Sequence, residues 1–377
     1  MVQVVKKLVN NSAVLPVVGR PRIFNHDVTN FIPGSEPVLR LYSGRALGLS
    51  SPEDTIQLAP ELRNEWSAMI HHYDRIGLSH TQDVIWDTSL TWLGKYPDHE
   101  VSVFFPNEHV APIGDGYSWH EVVRYINSKN SFIALAAKLG MAVPATWCFD
   151  SKAEVGELTA YPYPCYLKVA VPVYGGGVYR CGTPAALHEA LKTFDGGVPL
   201  QIQEEIRTGQ FLTLQYAIED GAAVRIAATE KIRYGHVRQG SRFPGRHAPW
   251  EAVEPMAQWL AAAGLRGVFD FDVSVVVDGN HFRFMPIGCN PRFNAATYPT
   301  LIAARLGPER WLAMHLASRK RHLADVDLAG IEYNGLTRAG VVIVDWGSVR
   351  FGKLGVLLAG PEELQQQLRA ELERRLR

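Results

Sequence analysis

The sequence predicts an α/β (α+β) protein built from more than one structural unit, and three observations predict it. The chain has 377 residues, which at roughly 150 residues per domain points to two or three units. Its composition is 47% hydrophobic and 20% charged, a balance that excludes a disordered or fibrous chain. Apolar residues at helical spacing alternate along the chain with short β-like runs bounded by turn residues.

The first third carries Pro- and Gly-rich stretches, Leu15–Arg22 and Ile32–Pro37, around a few apolar segments. Glu61–Gly77 has helical spacing through Leu62, Trp66, Ile70 and Tyr73, while Asp83–Trp86 and Val101–Phe105 read as strands. His71 and His72 on that helix read as surface residues rather than ligands. Trp119–Leu139 is amphipathic, with Val122, Tyr125, Ile126, Phe132, Leu135 and Leu139 at three- and four-residue steps, and stops at Gly140. Strand-like runs follow at Pro164–Ala170 and Val178–Cys181, separated by Gly175–Gly177. Thr183 is placed to cap a helix through Phe194, and Pro199–Glu204 is a further strand. Thr213–Ile218 and Ala223–Glu230 form an expected antiparallel pair about Asp220-Gly221. Arg233–Pro249 reads as a basic loop, and Trp250–Gly264 as a helix. Val268–Val277 and His281–Met285 make a hairpin about Asp278-Gly279-Asn280. Pro361–Arg377, with leucines at 364, 368, 372 and 376, is a helix with one apolar stripe.

Charge and cysteine content narrow the function classes. Lys+Arg and Asp+Glu are each 38, a formal net charge of +0, without the basic excess that neutralises nucleic-acid phosphates. No apolar run approaches the roughly 20 residues of a membrane span. Met1–Val9 has two lysines but no long apolar core or small-residue cleavage site, so no secretory signal is expected. Cys148, Cys165, Cys181 and Cys289 form no CxxC pair, which fits reduced, packed thiols in a cytoplasmic protein.

Two segments carry chemistry. Lys168 stands inside the apolar run Tyr-Leu-Lys-Val-Ala, where a cation is costly unless it meets an anion. Gly175, Gly176 and Gly177 just beyond can turn backbone N–H groups toward phosphate oxygens. A lysine strand, a glycine-rich hairpin and a second strand would make a flap over phosphates; the alternative is an edge-strand lysine beside an ordinary turn. The second segment is Asp270-Phe-Asp272, then a hairpin, then Asn290-Pro291-Arg292. Two acids on one strand face and an amide oxygen suit a nucleotide-bound Mg²⁺, and Arg292 can clamp a phosphoryl group through its fork. The alternative is a solvated pair of acids before a turn. The arginines of the 233–249 loop could likewise close over a phosphate or a carboxylate, or simply be solvated.

Together these motifs resemble the ATP-grasp superfamily from about Trp119 to about Arg305. Ser128-Lys129, Phe132, Leu139-Gly140 and Val143-Pro144 are similar to that family's opening helix, whose lysine reaches ATP phosphate. Lys168 matches its second phosphate lysine, and Gly175–Gly177 its glycine loop. Gln203-Glu204-Glu205-Ile206 is similar to its hinge, which implies adenine recognition by the Glu204 carbonyl and the Ile206 N–H. Asp272 falls on the first metal-binding acid, with Asp270 beside it, and Asn290-Pro291-Arg292 on the closing signature. The resemblance implies an N-terminal α/β subdomain (1–120), a central lid with its opening helix (121–207) and a C-terminal α+β subdomain (208–377). It further implies an ATP- and Mg²⁺-dependent carboxylate–amine ligase acting on small molecules, without nucleic acid or membrane; a homodimer is compatible with it. Two positions depart from the pattern: Gly288 stands where a metal-bridging glutamate is usual, and Gln210 where a ribose-binding glutamate is usual. The first departure leaves three readings open: another carboxylate such as Asp270 compensates, the metal site is weakened, or the chain is a nucleotide-binding protein with impaired catalysis.

Overall fold

The computed structural model describes residues 20–32, 34–110, 119–171, 177–206, 210–234 and 237–377. They divide into two compact units: Met1–Ser118, Ile226–Arg246 and Arg292–Arg377 in unit 1, and Trp119–Arg225 and His247–Pro291 in unit 2.

Unit 1 begins with β1 (Arg22–Asn25), β2 (Thr55–Gln57), helix α1 (Trp66–Ile76), β3 (Asp83–Ile85) and β4 (Glu100–Val103). The strands form a wholly parallel sheet in the order β3-β2-β1-β4, with Ile23 opposite both Thr55 and Val101. Helix α1 ends at Gly77, whose φ of +73° is the left-handed geometry that favours glycine at a helix stop. Its buried face is Met69, His72, Tyr73 and Ile76; Leu62 and Tyr73 are buried and His71 exposed as expected, whereas Trp66 and Ile70 are only half-buried and His72 turns inward. His72 is 1% exposed; its Nε2 accepts the Ile343 N–H (3.0 Å) and its Nδ1 faces Glu332 Oε1 (2.6 Å), so a polar ring is satisfied in the core.

Unit 2 opens with α2 (His120–Asn127) and α3 (Lys129–Lys138). The single long helix expected here is broken at Ser128, which has extended backbone and accepts the Ser131 N–H through its side chain; a cap has replaced helix continuity. Strands β5 (Thr146–Phe149), β6 (Cys165–Val169), β7 (Val178–Cys181) and β8 (Leu200–Glu204), with α4 (Pro184–Lys192), build an antiparallel sheet in the order β5-β8-β6-β7. Its core is Cys165, Leu167, Cys181, Leu187, Leu200 and Ile202, and Thr183 caps α4 as expected. All four cysteines are free thiols, with only Cys148 exposed.

Strand β9 (Gln210–Glu219) leads through Asp220 and Gly221, both at positive φ, into β10 (Ala222–Tyr234). The chain passes from unit 2 to unit 1 along β10. Strand β11 (Val237–Phe243) occupies much of the expected basic loop, pairing with β10 at Glu230↔Arg242. Back in unit 2, α5 (Glu254–Ala262) precedes the hairpin of β12 (Val268–Asp278) and β13 (His281–Asn290), and β12 also pairs with β9. Its register shifts after Asp272, so that Asp272 faces Gly288 while Val273 faces Pro286. Strand β13 pairs with β12 alone at the sheet's edge, where a residue lacking N–H is tolerated.

Unit 1 closes with α6 (Thr297–Leu306), β14 (Trp311–Ala317), β15 (Gly340–Asp345), β16 (Lys353–Ala359) and α7 (Glu362–Arg375). The strands run antiparallel in the order β11-β14-β16-β15. Leu368, Leu372 and Leu376 are buried along α7, each stabilising by about 1.5–3 kcal/mol. No helix among the described residues is long and apolar enough to cross a membrane.

Candidate functional site

Lys168 lies on β6 opposite Gln201 of β8 and Val178 of β7. Its Nζ donates to Gln203 Oε1 at 2.6 Å, and Gln203 Nε2 in turn donates to Thr146 Oγ1 at 2.9 Å. Burial pushes the lysine's pKa down to about 8, against the opposing pull of the Asp272 carboxylate. A cation is thus kept where water solvates it poorly, within the field of an acid. Thr146 is a member of this chain that sequence reading missed; the run Thr146–Phe149, rich in β-branched and aromatic residues, is the signal that could have found it.

Lys129 opens α3, and its backbone N–H donates to the Ala170 carbonyl at 2.8 Å, just beyond β6. The helix start is therefore tied to the end of the strand that carries Lys168. At the end of β8, the Glu204 N–H donates to the Ala145 carbonyl and Glu204 Oε1 accepts the Ala145 N–H. Glu205 binds Arg180 through both carboxylate oxygens, at 2.6 and 2.8 Å. Ile206 follows in irregular backbone, and Gln210 starts β9 opposite Val275. Gly177 is described, whereas Gly175 and Gly176, and with them the tip of the expected flap, lie outside the described residues.

Asp270 is buried and stands directly opposite Asn290. Asn290 Nδ2 donates to Asp270 Oδ1 at 2.9 Å, so these two residues position each other. Asp272, two residues along β12, faces Gly288, where a side chain would meet nothing within 4 Å. Among the described residues no group of three or more His, Cys, Asp and Glu could hold a metal ion. The hard-oxygen donors here are Asp270, Asp272 and the Asn290 amide, which suits one cation of the Mg²⁺ type rather than a charge-rich two-metal cluster. Arg292 belongs to unit 1, with its guanidinium carbon 5.3 Å from the Phe105 ring centre.

Two arginines of the 233–249 segment have carboxylates nearby. Arg242 sits on β11 with Nη2 3.2 Å from Glu362, and Arg246 lies 3.9 Å from Glu230. Both have carboxylate partners within their own unit. His247 packs on Phe282 and Phe284.

No protein-family model matches the chain, and no curated protein matches it by sequence. Solved structures do share its fold. N5-carboxyaminoimidazole synthase from Aspergillus clavatus, solved with ADP and 5-aminoimidazole ribonucleotide, is 15% identical with a TM-score of 0.59; the match covers 94% of this chain and 99% of that one. Biotin carboxylase from Campylobacter jejuni, in an ATP complex, is 11% identical with a TM-score of 0.59, over 90% of this chain and 87% of its own. L-amino acid ligase from Bacillus licheniformis is 12% identical with a TM-score of 0.54, over 94% and 98%. At such identities likeness speaks for architecture and not for substrate. The parallel N-terminal sheet, the antiparallel central sheet and the long antiparallel strands that follow make this chain an ATP-grasp fold.

Proposed function

We propose that the chain is an ATP-dependent carboxylate–amine ligase. The observation that carries the reading is Lys168: a strand lysine held by a neutral amide, with its charge destabilised by burial and Asp272 close enough to bias it. Such a group is suited to the phosphates of a nucleotide. Neighbours in the fold were solved with ADP or ATP, which supports the same assignment.

In this reading Lys129 and Lys168 neutralise phosphate charge, the 203–206 segment receives the adenine edge through the Glu204 carbonyl and the Ile206 N–H, and Gln210 bonds a ribose hydroxyl. Asp272, Asn290 and Asp270 hold Mg²⁺, which would add charge neutralisation at the reacting phosphates. Arg292 orients the transferred phosphoryl group. A carboxylate oxygen attacks the γ-phosphorus, the bond to the β–γ bridging oxygen breaks, and ADP leaves. The amine then attacks the acyl carbon, phosphate departs, and one proton is lost. The protein's share is positioning and charge placement.

A second reading rests on Gly288. With no carboxylate across from Asp272, the chain would bind nucleotide without efficient turnover. Phosphate release with ATP and Mg²⁺, screened over pairs of amino acids and over dipeptides, separates the two. ADP formed only when an acid and an amine are both present supports the ligase. ATP binding without turnover for any pair overturns it in favour of the second reading.

A further inference from the structure

Unit 1 contains a cavity that none of the motifs above explains. It measures about 130 Å³, with Arg45, Tyr298, Met314, His315, Asp345 and Val356 on its walls. A cavity of roughly 150 Å³ accepts a benzene-sized guest, so the space suits one small molecule.

Two of its walls are charged, opposite in sign and buried. Arg45 is 7% exposed. Its guanidinium is sandwiched 4.3 Å from the Tyr42 ring centre and 4.7 Å from that of Tyr298. Among the described residues its one hydrogen bond runs from Nε to the Tyr42 carbonyl, and no carboxylate pairs with it. Asp345 is 2% exposed. His315 Nε2 lies 2.7 Å from its Oδ2, while its buried Oδ1 has no hydrogen-bond partner among the described residues. Gly355 makes this arrangement fit, since a side chain there would collide with Asp345 and with His315 Nε2.

A buried charge left without a partner is strongly disfavoured. Here a cation and an anion share one cavity without pairing to each other, although joining them would relieve both. The groups missing are therefore an anion for Arg45 and a hydrogen-bond donor for Asp345. We propose that this cavity binds a small zwitterion, an α-amino acid with a short apolar side chain. Its carboxylate meets the Arg45 fork, its ammonium donates to Asp345 Oδ1, and its side chain lies against Met314, Val344 and Val356. His315 is a positioning residue that holds Asp345 with one oxygen turned to the guest. The inference rests on the cavity alone and stands apart from the nucleotide reading.

Isothermal titration of the full chain with L-alanine, L-leucine and L-methionine tests it, each beside its amide and its N-acetyl derivative. At least one of the three binds with a stoichiometry of one, and its two derivatives, each lacking one charge, bind at least tenfold more weakly. Arg45→Met and Asp345→Asn each lose at least tenfold, and Arg45→Lys, which keeps the charge but not the fork, falls between. Should a variant fail to fold by circular dichroism, the derivative series on the unaltered chain still decides. Failure of all three amino acids to bind, or equal binding of parent and derivatives, overturns the proposal. ATP titration of the same samples reads the nucleotide site separately.

Discussion

Lys168 Nζ donates to Gln203 Oε1 across 2.6 Å, from one strand of the unit 2 sheet to its neighbour. A neutral amide satisfies one ammonium proton without cancelling the charge. Had the partner been a carboxylate, the lysine would be neutralised and of little use to a phosphate. Gln203 is itself oriented by its bond to Thr146 Oγ1, so the lysine's direction is set by two further side chains on β8 and β5.

Lys168→Ala should weaken ATP binding by roughly tenfold or more. A charge-assisted hydrogen bond contributes about 1.5–3 kcal/mol, and tenfold corresponds to about 1.4 kcal/mol. Titration of a variant with native circular dichroism measures it; unchanged affinity removes Lys168 from the nucleotide site.

The same lysine gives nucleotide affinity a pH dependence. Burial lowers its pKa from 10.5 to about 8, so the free protein loses this charge as pH rises through 8. ATP affinity should be full near pH 6–7 and fall above about 8. The stability effect has the opposite sense: burial disfavours the charged form, so this residue penalises the fold less as pH climbs from 8 toward 10.5. A Lys168→Gln variant should lose the fall in affinity above pH 8; a profile identical to that of the unaltered chain assigns the effect to another group.

Gly288→Glu should tighten the Mg²⁺ dependence of nucleotide binding and raise ATP turnover. Gly288 is not among the residues at positive φ, and a side chain there meets open space opposite Asp272. The substitution therefore brings a carboxylate to the acids without backbone strain. Gly288→Ala is the control. Equal behaviour of the two variants in a Mg²⁺ titration would place the metal elsewhere.

Glu332 makes stability sensitive to acid. Burial alone would raise its pKa, but hydrogen bonds from His72 and Arg75 outweigh that and hold it down to about 2. The contribution is fully present above about pH 4.5 and is lost as pH falls toward 2. Glu332→Gln should flatten urea-unfolding stability over that window. His72→Ala leaves the buried Ile343 N–H unsatisfied, at a cost of about 1–3 kcal/mol, and leaves Glu332 with Arg75 as its remaining partner. A loss below 0.5 kcal/mol would mean that water replaces the imidazole.

The legible parts of this chain were those whose geometry is local. The hairpin at Asp278-Gly279-Asn280, the Thr183 cap and the leucine stripe of α7 each follow from a few neighbouring residues. Helix α1 was legible as a helix, but part of its inward face was not, because polar residues stand in its buried register. Just before it, Glu65 is buried against Arg350, His322 and the Leu323 N–H, and within it His72 bonds Glu332 and Ile343. Those partners lie more than 250 residues away, beyond any periodicity argument. The basic segment failed similarly, because β11 is held by its pairing with β10 and β14.

By itself the sequence determined the order of the chemistry-bearing residues, and their resemblance to the ATP-grasp family implied the architecture, since the lysine strand, the acid pair and the Asn-Pro-Arg run are each short local motifs that need no tertiary knowledge. Only the tertiary structure decided what surrounds them. It placed Gln203 rather than a carboxylate on Lys168, bonded Asn290 to Asp270, and left Arg45 and Asp345 in one cavity without pairing them. The physical reason is that burial and long-range partnership set the electrostatic character of a side chain, and both are properties of the folded chain rather than of any local segment.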